Sequence, residues 1–116
     1  MSDLCNRLAA LAAAGQTTTY GQLARDLGWR MGALTAALEA LMEEDARKGQ
    51  PLRASLCEGR LSGGMPARGF FEKAAALGFD TADPAGFASR QRSALFESAR
   101  AAQPEGVASG SQSRQE

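Results

Sequence analysis

Leu4, Leu8 and Leu11 recur at i, i+4 and i+7 among alanines, which makes one apolar face of a helix closed by Gly15. The β-branched threonines of residues 16–19 suit a short extended segment leading to a second helix. Thr19-Tyr20-Gly21-Gln22 fits a capping box, in which the Thr19 hydroxyl accepts from the Gln22 amide and Gln22 reaches back to the Thr19 amide. Tyr20, Leu23, Ala24 and Leu27 then share a face, and Gly28 ends the helix after little more than two turns. From about Met31 a longer helix carries Leu34, Leu38, Leu41 and Met42 inward and stops near Gly49, with Arg47 and Lys48 favourably set against the negative end of its dipole. Two helices joined by a short Gly-containing turn are a helix-turn-helix pattern.

Beyond Gly49 the period changes from helical to two. Leu52, Ala54 and Leu56 alternate with Arg53, Ser55 and Cys57, the mark of a half-buried strand. Glu58-Gly59 supplies a turn, residues 60–62 return as a short second strand, and residues 63–69 are too rich in Gly and Pro for a regular element. The expected fold is therefore mainly α with a small β-hairpin: a winged helix, made of a helix-turn-helix plus a wing, with extra C-terminal helices. Residues 70–78 form a short helix whose two Phe fill the core, and Asp83-Pro84 caps a last helix running to about Ala102. Phe87, Ala94 and Leu95 give that helix a narrow apolar stripe, with Arg90, Arg92 and Arg100 largely outside it. The expected division is a winged-helix domain over 1–79, a helix over 80–102 packed on the domain or on a partner, and a disordered polar tail over 103–116.

Composition narrows the chemistry. Thirteen Lys plus Arg balance thirteen Asp plus Glu, so any affinity for nucleic acid has to come from local placement rather than overall basicity. With no His and no paired cysteines, a zinc site or a His-based triad has nothing to build from, and Cys5 and Cys57 read as packing residues. No nucleophile stands beside a base, so neither an enzyme nor a cofactor is expected. The longest apolar run, residues 8–14, is far too short to span a bilayer, which leads to the expectation of a soluble cytoplasmic protein.

A winged helix lays the second helix of its helix-turn-helix in the major groove and reaches neighbouring backbone with the wing. The outward face of the long helix begins with Gly32, Thr35, Ala36 and Glu39, with Arg30 as the strong donor near that end; Glu43, Glu44 and Asp45 lie further along. Residues 46–73 are locally basic, with Arg47, Lys48, Arg53, Arg60, Arg68 and Lys73 against Glu58 and Glu72. Phosphate contact and simple solvation of a loop both account for those charges. Tyr20 also has two readings: a core ring, or a hydroxyl at a helix N-terminus that donates to phosphate. Trp29 reads as packing at the turn between the helices. The candidate DNA-contacting residues are Thr19, Tyr20, Arg30, Thr35, Arg53, Arg60, Arg68 and Lys73.

The phrase at residues 17–28, TTTYGQLARDLG, resembles the opening of the helix-turn-helix in the O6-alkylguanine-DNA alkyltransferases and their alkyltransferase-like relatives. The likeness extends over residues 17–70 and ends at Gly69-Phe70. It implies a DNA-binding winged helix in which Tyr20 assists in turning a nucleotide out of the duplex. Where the alkyl-accepting enzymes carry Pro-Cys-His-Arg, this chain has Pro51-Leu52-Arg53-Ala54, so alkyl transfer in that form is excluded. Where the family inserts an Arg finger, this chain has Gly32. Two expectations follow: a non-enzymatic regulatory or accessory protein that binds double-stranded DNA through a basic wing, or a protein-interaction module, adaptor or inhibitor that uses its acidic third helix and last helix to dock on a partner or form a homodimer.

Overall fold

The computed structural model describes residues 3–60 and 62–102. They form five α-helices and one small sheet: α1 (Asp3–Ala14), β1 (Thr18–Thr19), α2 (Tyr20–Leu27), α3 (Met31–Lys48), a 3-10 turn (Arg53–Leu56), β2 (Cys57–Glu58), α4 (Arg68–Ala76) and α5 (Pro84–Ala102). The tail assigned to residues 103–116 lies outside the described residues.

Each helix follows its apolar spacing. Leu4, Leu8 and Ala12 bury the inner face of α1, with Leu11 packed at its edge. Thr19 caps α2, its hydroxyl accepting from the Gln22 amide at 3.0 Å, but the reciprocal half of the capping box is missing. The Gln22 side chain instead donates to Asp26 at 2.8 Å and accepts from Arg25 at 3.1 Å, along the exposed face of the same helix. Gly28 ends α2 at φ 70°, a left-handed position that costs glycine no side-chain clash. In α3 the buried positions are Leu34, Leu38, Met42 and Asp45, while Leu41 is half-buried.

The expected hairpin is not there. Arg53–Leu56 winds into a 3-10 turn, and only Cys57 and Glu58 are extended. They pair in parallel with β1, Thr18 against Cys57 and Thr19 against Glu58. The alternation of Leu52, Ala54 and Leu56 does not place their neighbours outside, because Ser55 and Cys57 are buried as well. The turn is enclosed by α1, α3 and α5, so both of its faces meet protein and a period of two carries no inside or outside. Arg60 and Ser62 form no returning strand. The loop instead closes on itself: the Gly59 amide donates to the Met65 carbonyl at 2.8 Å, and the Ser62 hydroxyl donates to the Gly59 carbonyl at 2.6 Å.

The last two helices complete the core. Phe70 of α4 meets Phe87 of α5 at 6.0 Å between ring centres, and Phe79 meets Phe87 at 5.5 Å. Phe71 is half-buried and edge-on to Phe70. Asp83 caps α5, its carboxylate accepting from the Gly86 amide at 3.2 Å. The helix packs back on α1 and on the 3-10 turn. Arg92, expected outside, is half-buried instead, with its Nε donating to the Ser55 carbonyl at 2.6 Å.

Candidate functional site

A cavity of about 600 Å³ opens where the start of α2, α3, the loop that holds Gly59 and Ala67, and the start of α4 meet. Leu38, Met42, Ala54 and Phe70 supply apolar walls; Thr19, Tyr20, Arg25, Thr35, Glu39 and Arg60 supply the polar groups. The size falls within the range typical of small-molecule sites. Gly59 sits at the base of the loop, where an added Cβ would stand 2.8 Å from the Ala67 Cα, so only glycine lets the two strands of the loop cross there. Met31 lines the cavity while 45% exposed.

Four of the residues singled out from the sequence, Thr19, Tyr20, Thr35 and Arg60, line this one cavity. Arg30 and Arg68 are exposed neighbours of the lining residues Met31 and Gly69. Arg53 and Lys73 lie elsewhere. Arg53 folds onto Asp45: its Nη2 donates at 2.8 Å, its Nε at 3.1 Å and its backbone amide at 3.0 Å, so the carboxylate, 1% exposed, is enclosed by donors. The bond to Asp45 holds the Arg53 guanidinium pKa above its ordinary value. Lys73 pairs with Glu43. Arg25 and Met31, to which the sequence pattern assigns no contact, also line the cavity, as does Glu39 from the outward face of α3.

Of its two readings, Tyr20 takes the core position. Its ring packs against the core, and burial, followed by the neighbouring Cys57, pushes the hydroxyl up to about 12, while the Ala67 backbone and Arg92 pull the other way. The shift acts only at alkaline pH, because the hydroxyl is protonated at neutral pH with or without it. Cys57 is fully buried and its thiol is likewise pushed up to about 12, which leaves it protonated and a poor nucleophile. The Thr35 hydroxyl donates back into its own helix, at 3.0 Å to the Met31 carbonyl and 3.1 Å to that of Gly32, and so keeps a lone pair for a ligand.

The acids of α3 are mostly neutralised. Glu43 meets Lys73, Glu44 meets Lys48 at 2.9 Å and Arg53 at 3.5 Å, and Asp45 meets Arg53. The hydrogen bonds from Lys73 and Lys48 hold the Glu43 and Glu44 carboxyls below their ordinary range. On the cavity side, no ion pair holds Arg25, Arg30 or Arg60 among the described residues, and Arg68 makes only an exposed pair with Glu72 at 3.1 Å. Among the described residues no helix is long and apolar enough to cross a membrane. No protein-family model matches the chain, and comparison with curated proteins and with solved structures finds no match either.

Proposed function

We propose that the chain is a non-enzymatic winged-helix DNA-binding protein, with α2 and α3 as the helix-turn-helix and the 59–67 loop as the wing. The observation that carries this reading is the distribution of ion pairs. The acids at the far end of α3 are matched by Lys73, Lys48 and Arg53, which removes much of their repulsion for a phosphate backbone. Arg25, Arg30 and Arg60, by contrast, are left for an outside anion around the cavity that Tyr20 lines. Backbone contacts fall to Arg30, Arg60 and Arg68, and the Thr19 and Tyr20 hydroxyls add polar contacts at the start of α2.

The resemblance at residues 17–28 gives the cavity a use on DNA. A nucleotide turned out of the duplex beside Tyr20 would enter between Leu38, Met42 and Phe70. Alkyl transfer is no part of this reading, since Cys57 is buried and protonated and Leu52 stands where the acceptor would be. Replacing Arg30 and Arg60 together by Ala tests it: duplex affinity in low salt falls at least tenfold while the thermal unfolding curve stays in place. Unchanged affinity contradicts it.

A protein partner is the second reading, favoured by Met31, an exposed apolar side chain at an apolar cavity. Under that reading a Met31→Lys variant loses the partner and DNA resin retains neither protein.

A further inference from the structure

We infer that Glu39 makes the cavity selective for a nucleobase bearing an exocyclic amino group. The inference rests on the DNA reading above. Most carboxylates near this region already have donors: Glu43 has Lys73, Glu44 has Lys48, Asp45 has Arg53, Glu58 accepts from the Thr17 hydroxyl and Asp26 from Gln22. Glu39 lines the cavity, and among the described residues no hydrogen bond or ion pair engages it.

The chemistry of the lining is divided. Arg25 and Arg60, from α2 and the loop, are donors suited to a phosphate, whereas α3 offers Glu39 and the Thr35 oxygen, whose own proton is spent on the helix. An ionised carboxylate only accepts. A base that enters with its phosphate toward the arginines therefore meets an acceptor wall at α3. An amino group there gains a charge-assisted hydrogen bond, while a carbonyl oxygen meets like charge and leaves Glu39 stripped of water without a donor. Leu38, Met42 and Phe70 supply faces for the ring but no polar group, so with the arginines on the phosphate, the polar contacts of the α3 wall are Glu39 and the Thr35 oxygen, of which only Glu39 carries a charge.

The test compares duplexes that differ by one amino group at a single mismatched position: guanine against hypoxanthine, and adenine against purine. Fluorescence polarisation of the full chain should show about tenfold or greater preference for the amino-bearing member of at least one pair, in line with a hydrogen bond to a charged group. Glu39→Ala, at an exposed helical position that tolerates alanine, should bring the ratio to near one, and Glu39→Gln, which keeps a carbonyl acceptor, should retain part of it. Using ratios within a pair cancels the general gain in DNA affinity from removing a negative charge. Ratios near one for the wild-type chain in both pairs, or a preference that survives Glu39→Ala, overturn the inference while the DNA reading stands. Failure of the wild-type chain to bind any of the four duplexes overturns both.

Discussion

Asp45 and Arg92 each continue an apolar helical stripe with a charge. Asp45 follows Leu34, Leu38 and Met42 at steps of four, four and three, and Arg92 sits between the buried Ala88 and Leu95 at i, i+4 and i+7. Position alone puts both on the inner period, yet the charge argues for the surface, where the sequence reading sets Arg92; only their partners resolve the conflict, and Arg53 and Ser55 belong to a separate turn reached through packing. The same concealment affects the candidate site, where Arg53 counts as a wing cation in the sequence but neutralises a buried acid in the fold. Asp45→Asn removes the charge and leaves the guanidinium only the partly exposed Glu44, at 3.5 Å, to pair with. With Arg53 partly open to water, the loss in unfolding free energy should be about 2–3 kcal/mol by urea titration, below the full value for a wholly buried pair. Adding Arg53→Met should recover part of that loss, whereas simple additivity of the two would count against a direct pair.

At the level of elements, the helices were legible because each combines a 3.6-residue apolar period with a stop signal such as Gly28 or Gly49. The threonines mark an extended segment at Thr18 and Thr19 but say nothing of its pairing, since a two-residue parallel pairing across some 40 positions leaves no local trace. The loop that replaces the hairpin depends on Gly59. Gly59→Ala should drive the 59–60 and 67 segments apart and lower the melting temperature, while Gly63→Ala, with open space around the new Cβ but a positive φ of 61°, should cost less. Gly32, at the second position of α3, also faces open space. Gly32→Arg should therefore fold normally, gain helix propensity over glycine, and tighten duplex binding by restoring a cation at the head of α3. An unchanged affinity would mean that this end of α3 does not meet DNA.

For the whole molecule, burial couples stability to alkaline pH. Tyr20 and Cys57 have ordinary values of 10.0 and 9.0, and both are raised to about 12 in the fold. The folded chain thus holds these protons more tightly than the unfolded chain. Their contribution is fully present below about pH 9 and is lost as pH rises toward about 12. Tyr20→Phe should flatten the fall in melting temperature over that window, and an equally steep fall would contradict burial of the hydroxyl. Net charge conveyed little, because zero overall conceals an uneven arrangement among the described residues, with ion pairs along the end of α3 and none on Arg25, Arg30 or Arg60. The salt dependence of duplex binding tests that arrangement most directly. If Arg25, Arg30, Arg60 and Arg68 each neutralise one phosphate, log affinity against log salt should have a slope of about −3 to −4, losing roughly 0.9 for each of these arginines removed. Binding that ignores salt, or no binding even at low salt, would contradict it.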